Sequence, residues 1–203
     1  MDLTRWKPLS VPQTVELMSG LEVSWWIAGG WAIDLFLKRS TRHHVDTDVL
    51  VLRKDQVRVC RHFSRIGWQL WAADRPGHLR PIAPDEQLKS STHDIWCRRN
   101  GDAAWALQLM LAESSGGRWL YRRDPEVSLP LSEVGFETVE GIPYVAPQVE
   151  LLFKSKSPRS QDEADFTLTV PELPPAARRW LASAISRADP HHPWLARLQP
   201  TEA

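Results

Sequence analysis

Apolar positions recur along this chain in two periods, and the switches between them set out its elements. In residues 12–22 (PQTVELMSGLE), Val15, Met18 and Leu21 fall at helical spacing. Residues 23–28 (VSWWIA) form a short apolar run of the kind a buried strand makes, and Gly29-Gly30 follows at once. The helical period returns in WAIDLFLKR (31–39), with Trp31, Ala32, Leu35 and Phe36 on one face. VDTDVLVLR (45–53) is β-branched and apolar and predicts a strand. Asp55 is placed to cap a helix that runs to about Ile66, where Gly67 stops it. GWQLWAA (67–73) predicts a strand, and residues 74–90, rich in Pro, Gly and Asp, a loop.

THDIWCRR (92–99) and WALQLMLAE (105–113) predict two strands joined through Asn100-Gly101-Asp102, a strong hairpin signal. A second pair of short strands is expected near Trp119–Tyr121 and Phe136–Val139. Pro147 starts a helix over 147–156, residues 157–170 predict another, and 176–189 a final long one. Strands and helices mix up to residue 146, and helices dominate from 147. The fold class expected is α/β (α+β): a mixed-sheet core over 1–146 and a small helical region over 147–203.

Composition narrows the classes. A length of 203 residues with 42% hydrophobic positions suits one compact domain, or a catalytic domain with a small appendage. Lys+Arg and Asp+Glu both number 25, and this zero balance disfavours a nucleic-acid binder while leaving room for a local anion pocket. Two distant cysteines, Cys60 and Cys97, support neither a disulfide scaffold nor a cysteine zinc site, and free thiols are expected. No window approaches the roughly 18 apolar residues of a membrane span, and the N-terminus has no apolar signal core. The expectation is a soluble cytoplasmic protein without a membrane partner; oligomeric state is not legible.

The chemistry concentrates in IAGGWAID and TRHHVDTDVLV. A glycine pair between strand and helix lets backbone approach a ligand, and a helix N-terminus attracts anions. Such turns are also common without that role. Asp46 and Asp48 stand two apart before a buried strand, so a regular strand would put both carboxylates on one face. They suit a divalent cation bound by hard oxygens; equally, they suit a solvated strand end.

Taken together, these stretches resemble the DNA polymerase β-type nucleotidyltransferases. More narrowly they resemble the aminoglycoside and lincosamide nucleotidyltransferases, whose pattern G-G-W-A-I-D then T-R-x-H-x-D-x-D matches Gly29 to Asp34 and then Thr41, Arg42, His44, Asp46 and Asp48. Lys38 departs from the pattern, standing where a glycine often precedes the residue matching Arg39. A looser likeness covers Pro147, Lys154, Arg159, Asp162 and Asp165. The resemblance implies a nucleotidyltransferase core that moves an NMP, AMP first, from an NTP to a hydroxyl of a small molecule, with an aminoglycoside or lincosamide antibiotic as acceptor. Asp46 and Asp48 would hold Mg²⁺. Gly29, Gly30, Thr41, Arg42 and His44 would lie on the phosphate side, and Lys154, with Lys156 second, would reach the triphosphate. Arg159, Asp162 and Asp165 read better as ion pairs between helices.

A third carboxylate is implied on a neighbouring strand. Gln108 falls where that acid is expected, with Glu113 at the strand end and Asp94 on the partner strand as alternatives. Glu113 is the choice as catalytic acid. His43-His44 is too tight for a zinc site, and His191-His192 reads as a solvated turn. Two other readings stay open: a toxin-type tRNA nucleotidyltransferase, and a nucleotide-binding protein that lost catalysis through Gln108.

Overall fold

The computed structural model describes residues 2–75 and 77–199. In chain order the elements are α1 (Val11–Met18), β1 (Trp25–Ala28), α2 (Gly29–Leu37), β2 (Asp48–Leu52), α3 (Gln56–Arg65), β3 (Trp68–Arg75), β4 (His78–Pro81), β5 (Asp94–Arg99), β6 (Leu107–Ser115), β7 (Arg118–Tyr121), β8 (Asp124–Pro130), β9 (Gly135–Glu137) and β10 (Pro143–Val145), followed by α4 (Pro147–Ser155), α5 (Ser160–Thr169), α6 (Pro175–Ala188) and α7 (Trp194–Leu198). The sheet runs β4-β3-β5-β6-β2-β1-β10-β9, and β7 and β8 extend β6 as a hairpin. The pairs β2/β6 and β1/β10 are parallel, so the sheet is mixed, as the α/β reading expects.

Strand alternation gives the sheet two unlike faces. Val49, Val51, Leu109, Ile95, Cys97, Leu70 and Ala72 are buried together with Val59, Cys60 and Phe63, the i, i+4 stripe of α3. Both cysteines are free and buried. Cross-strand partners fix the other face. Trp71 pairs with Trp96, Trp96 with Gln108, and Gln108 with Asp48. One row over, Asp94 pairs with Met110 and Met110 with Leu50. This second face carries the chemistry.

Several expectations change. The β2 strand begins at Asp48, not residue 45, because the preceding loop has other partners: Thr47 Oγ1 donates to the Leu9 carbonyl at 2.6 Å. The supposed 74–90 loop contains β4, which pairs with β3. The short strands near 119 and 136 do not pair with each other. The first joins β6 and β8, and the second, β9, joins β10. A further helix, α7, follows α6, and His192 is buried beneath it with Nε2 2.9 Å from the Ser155 carbonyl oxygen. No helix among the described residues is long and apolar enough to cross a membrane.

Helix α2 ends at Lys38, the one non-glycine among the described residues with positive φ, at 55°. That left-handed conformation crowds a β-carbon and costs an L-residue about 1–2 kcal/mol. Lys38→Gly is therefore expected to raise stability by about 1 kcal/mol. A denaturant titration reads this as a higher midpoint at unchanged m; a lower midpoint would show that the Lys38 side chain contributes more than its backbone strain costs.

Candidate active site

The site begins where β1 turns into α2. Gly29 has φ +66°, and a β-carbon there would run into the Asp48 carboxylate. A β-carbon on Gly30 would collide with the Arg42 guanidinium and the His44 ring. The glycine pair thus forms the first turn of α2 and lets three side chains press against its backbone. The Gly29 N–H donates to Glu150 Oε2 at 3.0 Å, so a protein carboxylate takes the donor that the sequence assigned to a phosphate. Gly29 and Gly30 nevertheless both line the cavity described below.

Asp34, one α2 turn on and buried, explains the threonine and histidine of the following motif. Its Oδ1 accepts from the Thr41 N–H at 3.0 Å and from Thr41 Oγ1 at 2.5 Å. Its Oδ2 lies 2.7 Å from His44 Nε2, and the His44 ring stacks on Trp31 at 4.3 Å between centroids. Thr41 and His44 were expected on the nucleotide. Both instead face Asp34 and hold the loop that delivers Asp46. Arg42 does line the cavity, where its guanidinium also reaches both Asp165 oxygens at 3.3 Å.

Asp46 and Asp48 open into one cavity of about 420 Å³, together with Glu150, Lys154, Lys156 and Arg159. Burial, then the charges of Asp46, Glu150 and Asp94, push the Asp48 carboxyl well above the usual carboxylate range. Burial raises Glu150 as well. Acids packed this closely destabilise one another until a cation arrives. The donors are hard oxygens with the cavity open beside them, which fits Mg²⁺. Among the described residues no three metal-binding side chains converge on one point, so the protein would contribute a pair of carboxylates.

Lys154 is committed elsewhere. It is 7% exposed, and its Nζ lies 3.0 Å from Asp162, 3.1 Å from Asp165 and 3.8 Å from Glu150. Against its burial, those three acids raise its pKa. Against its own burial, hydrogen bonds from Arg159 and then Lys154 hold the Asp162 carboxyl down at about 2. Lys154 therefore locks α4 to α5. The cavity cations with exposed side chains are Arg123, Lys156 and Arg159, the last paired with Asp162 at 2.8 Å.

Glu113, expected as the third carboxylate, lies along β6 beyond Gln108. The β2/β6 register runs unbroken from Gln108 to Ala112, so no bulge redirects Glu113. Five residues beyond Gln108 is about 16 Å along a strand, and there Glu113 pairs with Arg53 at 2.5 Å. Gln108 lies beside Asp48, and its Nε2 donates to Asp94 Oδ1 at 3.2 Å. Burial raises the Asp94 carboxyl above its ordinary value. Asp94 faces two further cavities, of about 220 and 430 Å³, and Gln108 lines all three. Glu150 was missed in sequence; its i, i+4 spacing to Lys154 was the only signal.

A mixed sheet with a glycine turn, an Asp pair and a cation-lined cavity defines a nucleotidyltransferase. The sequence profile of the aminoglycoside-2''-adenylyltransferase family matches residues 10–167, and the chain belongs to that family. A lincosamide resistance protein of Staphylococcus haemolyticus is 22% identical over 141 residues, 70% of this chain and 80% of that protein. Two crystal structures share the fold. The lincosamide adenylyltransferase LnuA with lincomycin bound has a TM-score of 0.55 at 16% identity, over 81% of this chain and 96% of LnuA. ANT(2'')-Ia in complex with adenylyl-2''-tobramycin has a TM-score of 0.58 at 16% identity, over 88% of this chain and 98% of that one.

Removing the lysine tests the lock. Lys154→Met removes the cation that Glu150, Asp162 and Asp165 share and leaves buried Glu150 without one, which should cost about 3–5 kcal/mol. Urea unfolding checks this; a loss below about 1 kcal/mol would mean that the acids relax to solvent and the lysine is available to a ligand.

Proposed function

We propose that this chain transfers AMP from ATP to a hydroxyl of a small-molecule acceptor, an antibiotic of the aminoglycoside or lincosamide class. The observation that carries the reading is the convergence of Asp46 and Asp48 with Gly29-Gly30 and the exposed cations Lys156 and Arg159 on one cavity. Asp46 and Asp48 would hold Mg²⁺, which when bound neutralises phosphate charge and polarises the α-phosphorus. Lys156 and Arg159, with Arg42 behind them, meet the triphosphate by charge-assisted hydrogen bonds. Residues from 147 onward thus supply cations while the sheet supplies acids.

The acceptor enters from the cavities on the Asp94 side. Its hydroxyl attacks the α-phosphorus in line, a P–O bond forms, and pyrophosphate leaves. Asp94 takes the hydroxyl proton. Its burial suits it to this, because a carboxyl raised toward neutrality is a stronger base than a solvated one. Gln108 is a positioning residue whose amide fixes one Asp94 oxygen and leaves the other for the acceptor. An amide in the expected acid position therefore does not require a dead enzyme.

Pyrophosphate release with Mg²⁺, each NTP and an antibiotic panel tests the activity. Asp46→Asn or Asp48→Asn should abolish it with the fold retained. Asp94→Asn should slow it by about 10²–10⁴, the usual worth of a positioned base, while Glu113→Gln should change the rate little. Near-normal turnover in both Asp46 and Asp48 variants would remove the mechanism. A large loss in Glu113→Gln with none in Asp94→Asn would return the base to Glu113.

A further inference from the structure

The β7–β8 hairpin turns through Arg122 and Arg123, which are exposed at its tip. The hairpin is fixed from behind. Trp119 is buried against Phe153 of α4 and Trp180 of α6. Arg187 of α6 donates to Asp124 at 2.7 Å, at the start of β8. Arg123 stacks on the Tyr121 ring, 5.5 Å from its centroid, and donates to the Tyr121 hydroxyl at 2.8 Å. The tip is thereby aimed at Asp94 and Gln108: both arginines line the 220 Å³ cavity beside them, and Arg123 also reaches the Asp46/Asp48 cavity.

Neither arginine has a carboxylate partner among the described residues, because the nearby acids are taken. Asp124 pairs with Arg187 and Glu113 with Arg53. In the adjoining 430 Å³ cavity Asp74 pairs with Arg80, and Arg75 adds another cation. Among the described residues the acceptor side therefore presents one carboxylate without a cationic partner, Asp94, against three guanidiniums without a carboxylate partner, Arg75, Arg122 and Arg123. Partial burial, then the neighbouring Arg123 charge, hold Arg122 below its ordinary pKa, so the tip is already electrostatically crowded. A ligand bearing several ammonium groups would meet like charge there without enough acids to compensate, and such juxtapositions disfavour binding.

We propose that Arg122 and Arg123 are specificity determinants that exclude polycationic acceptors, so that the acceptor of this chain is a hydroxyl compound with at most one positive charge. The proposal rests on the nucleotidyltransferase reading and narrows its acceptor class toward the lincosamide type and away from aminoglycosides with four or five amines.

The test compares lincomycin, with one amine, and tobramycin, with five, by calorimetry in the presence of Mg²⁺ and α,β-methylene-ATP. The wild-type protein should bind lincomycin and reject tobramycin. Arg122→Glu, and more so Arg122→Glu/Arg123→Glu, should tighten tobramycin relative to lincomycin by at least about tenfold. Raising the salt should weaken the wild-type discrimination, since exposed charges are screened. Tobramycin preferred by the wild type, a ratio unmoved by the double variant, tobramycin undetected in every variant, or an effect confined to the nucleotide would each overturn the proposal. Nucleotide binding by the wild type in the same cell reads the underlying assignment separately. If it is absent, the nucleotidyltransferase reading fails; if it is present while the acceptor ratio stays fixed, only the filter fails.

Discussion

Asp48 lies against Gly29 with no room for a β-carbon between them, and most of the site follows from that contact. It makes the strand-to-helix turn a glycine turn. It sets the carboxylate at the mouth of a buried strand, where lost solvation and then the neighbouring acids push it toward its neutral form. A group held in that state is a ready site for a cation. Folding alone has no reason to keep Asp46 and Asp48 side by side at one cavity, because two neighbouring acids cost stability until a cation enters.

The helices after residue 147 answer that charge without cancelling it. Glu150 takes the Gly29 N–H and shares Lys154 with Asp162 and Asp165. Arg42 reaches across from the motif loop to Asp165. One buried lysine thus ties α4 to α5, and the arginine ties both to the loop beside Asp46. The exposed cations Lys156 and Arg159 face the open cavity, Arg159 while also pairing with Asp162. Burial thus separates the lysine that ties α4 to α5 from the exposed cations beside the cavity.

What could be read in the sequence was local. The turn between β1 and α2, the Asp-x-Asp pair and the long helices rest on contacts within about twenty residues, and spacing reveals those. The hairpin at Asn100-Gly101 was legible for the same reason. What could not be read depends on register and helical phase between distant segments. Lys154 stands in the last turn of α4 and Lys156 just past its end, and only the packing of α5 decides which points inward. Glu113 and Asp94 are both acids near Gln108 in a linear reading; the β5/β6 and β2/β6 registers bring one to the Gln108 amide and leave the other at Arg53. Thr41 and His44 looked like ligand contacts because their partner, Asp34, lies across a helix end.

On this reading a Mg²⁺-nucleotide completes the acid cavity. Thermal melting with α,β-methylene-ATP, in the presence and absence of Mg²⁺, tests it most directly. At about a hundred times Kd, binding to the folded state adds roughly 2.7 kcal/mol, which for a chain of this size corresponds to a rise of about 5–10 °C. The account predicts that rise with Mg²⁺ and nucleotide together and far less with nucleotide alone. An unchanged melting temperature with both, or an equal rise without the metal, would contradict it.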